Sequence, residues 1–178
     1  AEQAGVCAVS IKHVMSRQAS PGRLRCYSVP NHVMIFPSDK RLSVEEGLDL
    51  IREGRERTSL TIFVNFSSQE PDLASYGELA RRYEDAGAHA LEINMCCPNF
   101  GLADPEHGVD SVEPGALTGQ DPTLAAAITR IVKEAVTIPV VPKLTPTATN
   151  VVAVAQACVA AGADALSLVG GPSLAAPP

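Results

Sequence analysis

The chain has 178 residues, 20 acidic against 14 basic side chains for a net charge of −6, 46% hydrophobic residues, 4% aromatic ones and no Trp. That length gives one domain able to bury a real core, and the apolar fraction excludes wholesale disorder. The acidic balance speaks against nucleic acid or an anionic membrane surface as partner, and no run approaches the ~18 apolar residues of a membrane span.

In chain order, residues 4–12 open with Ala-Gly-x-x-Ala and an apolar run. Two later segments, residues 86–94 and 161–169, repeat that pattern. The physical reading is a helix that closes on a glycine and then a strand, since glycine takes the left-handed conformation without strain. The second and third copies lie 75 residues apart, from 86 to 161, which matches two helix–strand units of about 37 residues each. After the first strand, residues 13–37 read as a long loop. Ser43-Val44-Glu45-Glu46 has capping-box spacing and opens a helix toward Arg57. Residues 61–65 read as a second strand, residues 72–86 as a second helix, and the second repeat copy as a third strand. Residues 98–120 form a second long loop, rich in Gly and Pro. Asp121-Pro122 caps a helix that runs to about Val136. Residues 138–144 read as the fourth strand, Thr147 or Thr149 caps a fourth helix, and the third repeat copy is the fifth strand.

Strict alternation of strands and helices predicts a parallel sheet with helices outside it. Either an open doubly wound sheet or part of a (β/α)₈ barrel would serve. No G-x-G-x-x-G or P-loop pattern follows a strand, which weakens the first. Both long loops follow strand C-termini, where parallel α/β folds place their sites, and loops of that length are usually functional.

Strand side chains alternate between faces. Lys12, Asn65, Asn94 and Lys143 therefore fall at the ends of four strands, on the face away from the helices. Glu92 and Cys96 share that face with Asn94. Buried polar groups there are costly unless paired or bound to ligand, and two lysines in one mouth suit an anionic or electron-rich ligand. The five cysteines, Cys7, Cys26, Cys96, Cys97 and Cys158, form an odd set without C-x-x-C spacing. That argues against a disulfide scaffold or a metal site, and for a reducing cytoplasmic compartment. His13, His32, His89 and His107 show no paired spacing for metal.

Asn94-Met95-Cys96-Cys97-Pro98-Asn99, with Gly119-Gln120-Asp121-Pro122, Pro142-Lys143-Leu144-Thr145-Pro146 and Ser10-Ile11-Lys12-His13 in the same order, resembles the flavin-dependent dihydroorotate and dihydropyrimidine dehydrogenase family. The resemblance implies an FMN-binding TIM barrel, α/β, of which about five strands, the second to the sixth, are expected in 178 residues. A complete barrel needs about 250, so the first strand and the last two are expected to be missing. By the same resemblance residues 1–178 are part of one barrel domain, and residues 98–120 are its active-site lid. Cys97 falls on the family's acid/base cysteine. Asn94 falls on a residue that contacts flavin and substrate, and Asn99 on a substrate-binding asparagine. Lys12 and Lys143 fall on lysines that approach the flavin ring, and Asn65 on a flavin-contacting strand asparagine. Cys96 stands where the family has serine, and Val169-Gly170-Gly171 stands where it has a substrate-binding asparagine.

The expectation is an FMN-dependent oxidoreductase acting on a CH–CH bond of a pyrimidine-like ring. Hydride passes to or from the flavin while the cysteine handles the neighbouring proton. Iron–sulfur clusters and NAD(P) would sit on other domains or subunits, and the chain would be a homo-oligomer or meet an electron-transfer partner. Two other readings stand beside it: a barrel lyase or aldolase forming a Schiff base on Lys143 or Lys12, and a non-catalytic subunit that keeps the barrel for assembly.

Overall fold

The computed structural model describes residues 2–17, 20–21, 25–29, 32–36, 40–96, 117–146 and 148–168, with side chains described outside 18–40. Five strands form one parallel sheet: β1 (Ala8–Met15), β6 (Thr61–Ser67), β7 (Ala90–Met95), β8 (Val140–Leu144) and β9 (Ser167–Leu168). Helices α1 (Val44–Arg57), α2 (Ala74–Asp85), α3 (Pro122–Ala135) and α4 (Val151–Ala160) alternate with them. The strand order is β1-β6-β7-β8-β9, so spatial order follows chain order. A doubly wound sheet reverses direction at a switch point. This sheet never does, which leaves the barrel of the two sequence-level alternatives.

The repeat glycines behave as their pattern predicts. Gly5, Gly87 and Gly162 have φ of 82°, 102° and 100°. At Gly87 the amides of Gly87 and Ala88 reach back to the carbonyls of Glu84 and Tyr83, closing α2 before β7. At Gly162 the amides of Gly162 and Ala163 reach Val159 and Cys158 in the same way. In the first copy the glycine follows a 3-10 turn, Glu2–Ala4.

Helix starts follow capping chemistry. Ser43 accepts from the Glu46 amide while Glu46 accepts from the Ser43 amide, a complete capping box. Asp121 accepts from the amides of Thr123 and Leu124, with Pro122 in the first turn. The cap of α4 is a correction: Asn150, not Thr149, accepts from the Ala153 amide at 3.0 Å. Thr147, the other expected cap, lies outside the described residues. Asparagine competes well at this position because its short side chain reaches the N3 amide.

The loop expected over residues 13–37 is also corrected. β1 runs on to Met15, two short strands β2 (Ser20–Pro21) and β5 (Lys40–Arg41) pair antiparallel, and β3 (Arg25–Val29) pairs antiparallel with β4 (His32–Phe36). The β-branched and aromatic residues of 25–36 carried that signal.

The core lies between sheet and helices. α2 contributes Tyr76, Leu79, Ala80 and Tyr83, and α3 contributes Ala125, Ile128, Thr129 and Val132. Both sets repeat at i, i+3, i+4 and i+7, one face of a helix. They close on Val64, Phe66, Leu91, Ile93, Val140 and Leu144 of the strands. At the N-terminal rim Asp164 accepts from the Val140 amide at 2.8 Å and from Lys133 Nζ at 2.7 Å. Lys133 beside it holds its carboxyl below the usual aspartate range. Glu84 accepts from Thr137 and from the Ile138 amide, which fixes the turn before β8. In barrels this end of the sheet serves stability.

Tyr83 is fully buried, its ring edge-on to Phe66 at 5.3 Å and 66°. Among the described residues its hydroxyl has no hydrogen-bond partner, and burial pushes the phenol's pKa up. A buried unsatisfied hydroxyl costs about 1–3 kcal/mol. Tyr83→Phe keeps the ring contact and removes that cost, so it is expected to stabilise the protein by about 1 kcal/mol. Thermal melting should rise by roughly 2–4 °C in a protein of this size; a fall would show that the hydroxyl is bonded.

Candidate functional site

Strand register brings the polar side chains together. Asn65 on β6 stands beside Glu92 on β7, and Asn94 on β7 stands beside Lys143 on β8. All four lie on the sheet face away from the helices, while Ile62, Val64, Leu91 and Ile93 enter the core on the other. Asn65 and Asn94 are 4% and 2% exposed. Groups so buried require partners, and they have them. Asn94 Nδ2 donates to Asn65 Oδ1 at 2.9 Å. Asn65 Nδ2 donates to Glu92 Oε2. Lys143 Nζ reaches the same oxygen at 3.4 Å, and Ser10 Oγ on β1 reaches it at 3.5 Å. At the far end Asn94 Oδ1 accepts from the Cys96 amide at 3.2 Å, with the Cys96 thiol at 3.5 Å.

Of the residues expected at this site, Asn65 and Lys143 thus meet on one carboxyl oxygen and Asn94 joins them through Asn65. Lys12 is placed differently. It does not end its strand, because β1 continues three residues further. Register pairs Ile11 with Val64 and then Val14 with Phe66, so Lys12 and His13 together face Asn65 across a bulge. Bulges re-aim side chains beside sites. Ser10 before the bulge and Met15 after it, opposite Ser67, set the parity that turns both Lys12 and His13 to the polar face. Lys12 is exposed there, whereas His13 is 5% exposed and its Nε2 lies 2.8 Å from Ser67 Oγ.

Cys97 and Asn99 lie outside the described residues, as does residues 98–116 of the expected lid. The last residues of the segment expected to be a lid form a 3-10 turn, Thr118–Gln120, in which Thr118 and Gly119 are buried and Gly119 lies against the Met95 carbonyl at the end of β7 and the Thr145 side chain just after β8. Val169, Gly170 and Gly171 also lie outside the described residues.

Two residues of this cluster were not singled out from the sequence. Glu92 was placed on the polar face but given no role; its alternation with Asn94 was the available signal. His13 carries no local signal beyond its lack of metal-pair spacing, and only the bulge, a tertiary feature, turns it inward.

Solved structures and sequences give the same fold and a family. The structure of a complete multifunctional pyruvate carboxylase from Rhizobium etli superposes with a TM-score of 0.51 at 21% identity, covering 70% of this chain and 11% of that one. At that identity it shows the fold alone, five strands of a (β/α)₈ barrel. Dihydroorotate dehydrogenase A (fumarate) of Lacticaseibacillus paracasei is 41% identical over 99 residues, 55% of this chain and 30% of that protein. The catalytic subunit of dihydroorotate dehydrogenase B (NAD(+)) of Citrifermentans bemidjiense is 40% identical over 98 residues, 54% of this chain and 28% of that protein. The chain thus matches under a third of the length of either relative. The dihydroorotate dehydrogenase family model matches residues 40–171, which include Asn65, Glu92, Asn94, Cys97, Asn99 and Lys143. Strand order, the polar strand ends and that match over most of the sequence agree, and the chain belongs to the dihydroorotate dehydrogenase family.

Proposed function

We propose that this chain forms the flavin- and substrate-facing part of an FMN-dependent oxidoreductase that interconverts a dihydropyrimidine and a pyrimidine, dihydroorotate being the first substrate to test. The observation that carries the reading is the cluster of Asn65, Asn94 and Lys143 on one oxygen-rich patch of the sheet's polar face. The donor set suits FMN. Lys143, with a side chain 27% exposed, offers a cation beside two buried amides, and a cation there favours the electron-rich reduced ring. Bound FMN would supply two-electron acceptance and return.

The chain's own residues do the rest. Asn94 and Asn65 present amide groups that can pair donor and acceptor with an imide-like edge. Lys143 and Lys12 supply positive charge. Asn99 would hold the substrate ring, and Cys97 would exchange the proton on the ring carbon next to the one that gives up hydride. Residues 98–120 would exclude water over the site.

The names of the relatives, one using fumarate and one a catalytic subunit using NAD(+), bear on the acceptor. The second, named as a catalytic subunit, supports a separate electron-transfer partner, with any iron–sulfur cluster or NAD(P) site carried there. A homo-oligomer is compatible with the same scheme. Among the described residues no helix is long and apolar enough to cross a membrane, and a cytoplasmic site of action is proposed with the rest. The test is direct. The full-length protein should purify yellow, with flavin absorbance and one FMN per barrel, and dihydroorotate should bleach it without oxygen. A folded full-length protein that stays colourless in added FMN defeats the reading.

A further inference from the structure

Three donors converge on the Glu92 carboxyl: Ser10 Oγ at 3.5 Å, Lys143 Nζ at 3.4 Å and Asn65 Nδ2. The side chain is 12% exposed. A carboxylate only accepts, whereas an asparagine amide is donor on one side and acceptor on the other. Glu92 therefore decides which way Asn65 faces. With its Nδ2 committed to Glu92, Asn65 turns Oδ1 to Asn94, whose Nδ2 donates to it at 2.9 Å. That turns the Asn94 Oδ1 to the Cys96 amide at 3.2 Å. Reversing both amides would aim N–H at N–H at the Cys96 end. The Glu92 acceptor at one end and the Cys96 amide donor at the other thus give one direction to a chain of four residues that ends one position before Cys97. The same oxygen meets the Lys143 ammonium, so the cation of the site is partly offset by a fixed anion.

We propose that Glu92 is a positioning residue. It sets the orientation of Asn65 and Asn94 and tempers the charge of Lys143, and through both it sets how strongly the site prefers reduced over oxidised FMN. This rests on the FMN reading given above.

The experiment uses the full-length protein loaded with FMN and compares wild type, Glu92→Gln, Glu92→Asp, Lys143→Gln and the Glu92→Gln/Lys143→Gln pair. The readouts are the FMN dissociation constant and the midpoint potential of bound FMN. Glu92→Gln removes the anion and brings an N–H group toward Asn65 or Lys143. It is expected to raise the preference for reduced FMN at least tenfold, a rise of about 30 mV for a two-electron couple. Glu92→Asp keeps the charge and should return at least half of that shift. In the Lys143→Gln background the shift should vanish. A Glu92→Gln preference for reduced FMN within twofold of wild type, an equal shift in Glu92→Asp, or a shift that persists without Lys143 overturns the inference while leaving FMN binding intact. If Glu92→Gln alone does not fold, the pair decides: regained folding and FMN binding support the charge offset, and continued failure overturns it. A wild type that binds no FMN defeats the underlying reading and this inference together.

Discussion

Cys97→Ala is expected to lower turnover of dihydroorotate by about 10²–10⁴-fold, the usual contribution of a positioned acid or base, with FMN content unchanged. The thiol is the group that the resemblance assigns to proton exchange, and it follows closely on the described end of β7. Asn94, 2% exposed, binds the Cys96 amide through its side chain, which fixes the backbone direction at the end of β7. A free thiol has a reference pKa near 8.5, close enough to neutrality to give and take a proton. Cys97→Ser keeps a hydroxyl that is a poorer acid and should fall between wild type and alanine. Steady-state kinetics with a pH profile checks this. Undiminished turnover at full FMN occupancy would take Cys97 out of the chemistry, whereas loss of flavin with activity would point to a structural role instead.

Gly119→Ala should cost about 3 kcal/mol of stability, the upper part of the range for overpacking a filled site. A Cβ at this position would lie 2.0 Å from the Met95 carbonyl oxygen and 3.1 Å from Thr145 Cγ2. The first obstacle is backbone and cannot rotate away. Relief requires the 3-10 turn Thr118–Gln120 to lift from the ends of β7 and β8, where Thr118 and Thr145 are 1% and 2% exposed. Those strand ends carry Asn94 and Lys143, so retention of FMN should weaken along with stability. Thermal melting of the full-length variant should drop by roughly 6–12 °C at this size. A melting point within 2 °C of wild type would show that the turn does not pack there.

The local signals of this chain were readable without coordinates because each rests on chemistry within a few residues. Ser43 with Glu46, Asp121 with Pro122, and three glycines with positive φ act through bonds to their own neighbours. Period-2 alternation likewise placed Asn65, Asn94 and Lys143 on one face, since a strand has only two faces. The antiparallel pair β3–β4 consists of strand-forming residues, but the turn-forming residues around it give the same stretch the look of one long loop.

Other features depended on which strands become neighbours, and no local pattern carries that. Barrel-type order replaced the choice of two architectures only when β1, β6, β7, β8 and β9 were found in chain order. The bulge opposite Asn65 moved Lys12 from a strand end to a point three residues inside β1 and brought His13 to Ser67. Glu92 was one polar residue among several until register set Asn65 and Lys143 against the same oxygen. Local chemistry sufficed for the alternating strands and helices, for the caps at Ser43 and Asp121, and for the polar face of β6, β7 and β8. Tertiary structure alone decided which polar groups meet, because hydrogen bonds across strands join residues 27 to 82 positions apart and depend on a register that no short segment encodes.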